Sequence, residues 1–198
     1  MSSFTSGFFL GFSLILAIGS QNAFVLRAGL RREHVLSLVL TCALSDAILV
    51  MVGVAGFGAV IEAFPNIIVA FRYFGAAFLC AYGSRSFYSA YRGNDGLVAS
   101  GQSMSWAAAI TTCLVFTWLN PHVYLDTVIL LGSASHQYAD PWVFGFGAVT
   151  ASFTFFFALG FGARLLSGFF ANPTSWRVLD VVIGLTMWTI AFELVRNG

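Results

Sequence analysis

The sequence predicts an all-α, polytopic membrane protein: six transmembrane helices in two inverted three-helix repeats, with the first and fourth helices interrupted. Three observations predict it. Of 198 residues, 59% are hydrophobic and only 9% charged, and the mean hydropathy is +0.87, outside the soluble globular range. The apolar residues gather in six blocks, each near the roughly 20 residues that cross a hydrocarbon core of about 30 Å. The fourth block is broken in its middle by Asn120-Pro121-His122, with Asp126 beyond the break, and lipid offers no water to backbone groups freed there.

The predicted spans are Phe4–Leu26, Val35–Val60, Ile67–Phe87, Ala107–Leu131, Trp142–Phe161 and Val178–Val195. The first has no basic leading region and no clear small-residue cleavage site before Gln21-Asn22, so it reads as a retained helix. Tyr88 and Tyr91 follow the third span, and Trp106, Trp142 and Trp176 precede the last three, forming an interfacial aromatic belt.

Residues 92–105 (RGNDGLVASGQSMS) are rich in Gly and Ser and read as a cytoplasmic linker between a first half, 1–91, and a second, 106–198. The halves echo each other. Gly19-Ser20-Gln21 lies in span one about where Asn120-Pro121-His122 lies in span four, and Phe71-Arg72 matches Trp176-Arg177. Three spans per half is an odd number, so the second half is inverted relative to the first, the construction of secondary transporters with a site near the midplane.

All nine cationic residues are arginine. Arg27, Arg31, Arg32, Arg85, Arg92, Arg164 and Arg177 gather at the connections after spans one, three and five. The other two connections hold Glu62, His136 and Asp140 but no Arg, so the positive-inside rule puts both termini outside. A net charge of +1, with no basic patch interleaved with aromatics, gives no sign of a nucleic-acid partner. Cys42, Cys80 and Cys113 are odd in number and set in apolar runs, so they are expected to be buried hydrophobes, not disulfides or metal ligands. No cofactor is implied. No GxSxG or HExxH string occurs, which argues against an enzyme.

The polar groups within the spans are the candidate site. Asp46 lies roughly 16 Å into span two at about 1.5 Å per residue. An ionised carboxylate at that depth costs at least a few kcal/mol unless paired or hydrated, and the alternative to a functional role is a protonated Asp46 bonded to Ser45 or a neighbouring helix. Asp126 and Arg72 both lie about 8 Å inside the same surface and could pair, either as a tether between spans or as an exchangeable site tuned by the guanidinium. Pro121 removes a backbone donor, so carbonyls near Thr117 are expected to lose partners and face a cavity. Gln21 and Asn22 follow the Gly19-Ser20 break, and Asn120, His122 and Tyr124 surround the other. Half-helix starts at such breaks offer N–H groups to a carboxylate. His122 is a proton relay or a hydrogen-bonded filler. Asp180 is expected to pair with Arg177 one turn earlier, and Glu193 to reach the interface. His34 and His136 carry no assigned role. The pairs Gly7/Gly11, Ala43/Ala47, Ala77/Ala81 and Ala158/Gly162 suit close helix contact.

The strings GSQNAFVLRAGLRREH at 19–34, CALSDAILVMVGVAG at 42–56 and TWLNPHVYLDT at 117–127 resemble the LysE-type exporters of basic amino acids, in particular their arginine-exporter branch. The likeness runs from about Gly11 to the C-terminus and includes WRVLDVVIGLTMW. Such exporters usually read GPQN in span one, where this chain has Ser20. The resemblance implies a multi-pass protein of the bacterial inner membrane that exports L-arginine or L-lysine. Expelling a net cation costs about 2.3 kcal/mol per 100 mV, so exchange with a proton at Asp46 or Asp126 is expected. The rival readings are an exporter of neutral amino acids and a divalent-cation carrier. Whether the chain forms a homo-oligomer stays open.

Overall fold

The computed structural model describes residues 2–16, 19–56, 65–92, 104–166, 168 and 172–196. In chain order these form α1 (Ser3–Ile15), α2 (Ser20–Arg31), α3 (Val35–Val54), α4 (Pro65–Arg92), α5 (Trp106–Trp118) and α6 (Pro121–Tyr124). A π-helical segment (Leu125–Leu131) leads into α7 (Gly132–Ser135), followed by α8 (Pro141–Gly162), a 3-10 turn (Ala163–Leu166) and α9 (Pro173–Arg196). There is no strand among the described residues.

Three helices are long and apolar enough to cross a membrane, or five if each bent pair is one span. The expected count of six is not reached among the described residues. The third predicted span lies in α4, which is not among those helices, and most of the linker at 92–105 lies outside the described residues, as does the end of the second span beyond Gly56.

Both expected interruptions are present, but not as kinks within one helix. α1 and α2 meet at 82°, and α5 meets the helix over His122–Ser135 at 62°. In the first break, Asn22 Nδ2 donates to the Ile15 carbonyl at 2.7 Å, taking an acceptor that the end of α1 leaves open. Gly19 precedes α2 with φ −105, extended backbone that any residue adopts, so the turn does not require glycine there. In the second break, Pro121 opens α6, where its missing N–H would have no partner in any case. Asn120 Oδ1 accepts from the His122 N–H at 3.1 Å and caps the new start.

The π-helical segment was not expected from the sequence. It lies against α3, where backbones meet at Gly53 and Gly132: a Cβ at Gly53 would stand 2.6 Å from the Val128 oxygen, and one at Gly132 would stand 2.6 Å from the Gly53 oxygen. Thr127 and Ser133 hydroxyls donate to the Val123 and Ile129 carbonyls at 2.5 and 2.6 Å, bonds that widen or bend a helix.

α1 packs along α8, α4 along α9, and α3 against both α8 and the π segment. The α1 to α8 approach depends on glycines on both sides, with Gly7 against the Phe144 carbonyl and Gly147 against that of Phe4. The centre is apolar, built on Val25, Val39, Cys42, Cys113, Phe116, Phe156 and Met187. Large apolar side chains such as Phe9, Phe74, Leu185 and Trp188 point outward, as a lipid-facing surface requires.

Several expectations are corrected by how each helix is rotated. Trp106 and Trp142 are exposed, but Trp176 is buried, with the Arg31 guanidinium 5.6 Å from its ring centroid. Asp180 turns into the bundle and pairs with Arg27 at 3.0 Å, not with Arg177. Cys80 is exposed on α4, whereas Cys42 and Cys113 are buried with their sulfurs 3.2 Å apart. His34, given no role, contacts the Met104 carbonyl at 2.9 Å.

Candidate functional site: a cavity between the helix breaks

Both breaks open onto one cavity of about 270 Å³. The first contributes Gly19, Ser20, Gln21 and Asn22, and the second contributes Asn120, His122 and, from the π segment, Asp126. Asp46 enters from α3, Ser152 from α8 and Glu193 from α9. Residues far apart in the chain converge because both helix breaks face this one cavity, and helix ends cannot be left against lipid.

The start of α2 is the cavity's positive end. No side chain caps it. Ser20 Oγ and Gln21 Nε2 are buried there without a hydrogen-bond partner among the described residues. Free N–H groups together with the helix dipole favour an anionic group at such a place.

The opposite character comes from the acids. Asp46 is 5% exposed, and its Oδ2 accepts a hydrogen bond from the Ser152 hydroxyl at 2.8 Å. Ser45, the neighbour considered for this role, instead accepts from Trp118 Nε1 at 3.2 Å. Asp126 is half-buried in the first turn of the π segment, and exposed Glu193 stands at the rim. Among the described residues, the formally charged side chains lining the cavity are these three carboxylates, and no arginine is among them.

Of the residues singled out from sequence, Gly19, Ser20, Gln21, Asn22, Asp46, Asn120, His122 and Asp126 are brought together. Tyr124 does not line the cavity. Its hydroxyl donates to the Trp118 carbonyl at 2.8 Å, so one carbonyl near the proline that was expected to face the cavity is taken by a side chain. Pro121 acts through the backbone by starting α6. Arg72 lies on α4, but its side chain, and with it the pairing to Asp126, lies outside the described residues. Ser152 and Glu193 were missed as site residues. A hydroxyl in the apolar run of α8 was the available signal for Ser152, and Glu193 was assigned to the interface because it stands near the chain's end.

Broken membrane helices that deliver acids and an uncapped helix start to a shared cavity define a solute transporter. Residues 12–198 match the family described as LysE type translocator, and the chain belongs to that family. It is a multi-pass transporter of the bacterial inner membrane and not an enzyme. The chain is 43% identical over 203 residues to the arginine exporter protein ArgO of Yersinia enterocolitica, covering 100% of this chain and 98% of that one. It is 44% identical over 180 residues, 90% of each chain, to proteins of Mycobacterium tuberculosis and Mycobacterium bovis provisionally named amino-acid transporters. No solved structure matches.

Proposed function

We propose that the protein exports L-arginine, L-lysine or both from the cytoplasm in exchange for protons. One observation carries the reading: among the described residues, the charged side chains lining the cavity between the breaks are three carboxylates, Asp46, Asp126 and Glu193, with no arginine. A neutral amino acid brings a single ammonium to that excess of negative charge, whereas a basic one brings an ammonium and a cationic side chain. Its volume of about 270 Å³ lies just below the range of drug-sized pockets, which suits a small solute. The name of the Yersinia relative points the same way.

In this reading Asp46 and Asp126 take the solute's cationic groups, and the uncapped start of α2 at Ser20 and Gln21 takes its carboxylate. Release outward leaves the acids to be protonated from outside, and the proton leaves inward when the next cation displaces it. One cation out and one proton in moves no net charge. The transport step then avoids the roughly 2.3 kcal/mol per 100 mV that outward movement of an uncompensated cation would cost. His122 on the same wall is the relay.

The moving parts are two inverted halves, 1–91 and 106–198, joined by the linker at 92–105, with the arginine-bearing connections in the cytoplasm. The packing supports this reading. If spans one, two and three are exchanged with four, five and six, the pairing of α1 with α8 becomes that of α3 with the fourth span. The pairings of α3 with α8 and of α4 with α9 map onto themselves. Each half also begins with a 13-residue helix that ends at the break.

The divalent-cation reading lacks a cage, since no three His, Cys, Asp or Glu side chains converge as metal ligands among the described residues. The test is efflux from preloaded vesicles with a panel of arginine, lysine, threonine and homoserine, with and without a proton uncoupler. Arginine or lysine efflux that collapses with the proton gradient, and is lost in Asp46→Asn and Asp126→Asn at normal expression, is expected. Normal efflux by both variants, or preference for the neutral solutes, would overturn the reading.

A further inference from the structure

A second, larger cavity of about 660 Å³ opens where α2 ends, α3 begins, α4 ends and α5 begins. It shares no lining residue with the acidic cavity. Phe24, Tyr82 and Phe116 pack together beneath it, with Phe116 at 5.7 Å from Phe24 and 4.9 Å from Tyr82 between ring centroids. Its electrostatic character is the reverse of the first. Arg27, Arg31, Arg85 and Arg92 line it with His34, against Glu33 as the one acid among the described residues.

Positive charge at membrane-flanking connections is ordinary, and scattered arginines would need no explanation. Here four of them border one concavity, and the turn that carries His34 into its lining has two left-handed residues. Arg32 and His34, neither of them glycine, adopt left-handed backbone at φ 57 and φ 51 in the turn between α2 and α3. Left-handed backbone is unfavourable for residues with a Cβ, and such residues cluster at ligand clamps. The contact of His34 Nε2 with the Met104 carbonyl ties this turn to the segment before α5. Arg27 is held by Asp180, Arg31 over Trp176 and Arg92 over Tyr88, so these guanidiniums are positioned by neighbours.

We propose that this cavity binds a phosphate-bearing anion. Arginine forks match phosphate oxygens bidentately, and basic pockets between membrane helices at this level take anionic headgroups. The phosphate can come from an anionic lipid or from a soluble phosphate, which share the chemistry and differ in the tail. The site is distinct from the transport site, and it stands whether or not the exported solute is a basic amino acid.

The test uses the detergent-purified full chain in two arms: native mass spectrometry with phosphatidylglycerol against phosphatidylcholine, and calorimetric titration with inorganic phosphate. Retention of phosphatidylglycerol over phosphatidylcholine assigns a lipid, and heat with phosphate assigns a soluble ligand; either supports the site. Arg85→Gln and Arg92→Gln should each weaken binding about tenfold, the scale of one charge-assisted hydrogen bond, while Arg164→Gln, which removes the same charge outside the cavity, should not. Because removing arginines can disturb insertion, Arg85→Lys and Arg92→Lys keep the charge and lose only the fork; an intermediate loss is expected. Binding of neither probe, equal binding by all variants, an equal effect of Arg164→Gln, or displacement of the bound anion by L-arginine would overturn the proposal.

Discussion

Ser152 on α8 donates its hydroxyl to Asp46 on α3 at 2.8 Å, with both residues buried, so one hydrogen bond joins two membrane-crossing helices at the wall of the acidic cavity. Ser152→Ala removes the carboxyl group's hydrogen-bond partner without adding volume. A hydrogen bond to a charged group contributes about 1.5–3 kcal/mol, which corresponds to roughly tenfold or more in rate or affinity. Efflux should fall on that scale with unchanged expression, and its dependence on external pH should shift, because the group proposed to carry the proton has lost its partner. An unaltered pH profile alongside normal efflux would show that Asp46 is not the coupling group.

Gly19 and Gly53 make opposite predictions, although both are glycines in or beside the site. A Cβ at Gly19 meets nothing within 4 Å, while one at Gly53 would stand 2.6 Å from the Val128 oxygen and 2.8 Å from that of Thr127. Gly53→Val should abolish accumulation of folded protein, measured by membrane immunoblot. Gly19→Ala should accumulate normally, and Gly19→Leu should accumulate yet block efflux, because its side chain extends into the cavity. Full efflux by Gly19→Leu would place the solute path elsewhere.

Tyr124→Phe removes the hydroxyl bonded to the Trp118 carbonyl and leaves an acceptor at the second break short of a partner. The expected cost is about 1–3 kcal/mol of stability. It should appear as a lower apparent melting temperature in detergent, with little change in the concentration of substrate that half-saturates efflux. A large change in that concentration with no change in melting would return Tyr124 to the list of solute ligands.

Cys42 on α3 and Cys113 on α5 bring their sulfurs within 3.2 Å across the two proposed halves. In a Cys80→Ala background, copper phenanthroline should oxidise them to a disulfide, visible as a mobility shift after a single protease cut between the halves. If the halves rock, the cross-link should stop efflux and a reductant should restore it. Cross-linked protein that transports normally would show that α3 and α5 keep this contact through the cycle.

The membrane setting, the helical class and the two breaks were legible in the chain itself. Apolar block length is set by the thickness of the hydrocarbon, and Pro121 or a Gly-Ser pair acts on its own stretch of backbone. Seven polar residues picked out from sequence line the cavity beside Gly19, since polar side chains at membrane depth have few other places to go. Which partner each one meets was decided only by tertiary structure. One residue of register turns a helix by about 100°, so the choice of Ser152 over Ser45 for Asp46, of Arg27 over Arg177 for Asp180, and the turning of Glu193 to the cavity follow from how the helices are rotated and packed. The π segment that presents Asp126 accompanies backbone contact between Gly53 and Gly132, residues far apart in the chain, and a local pattern does not encode such a contact.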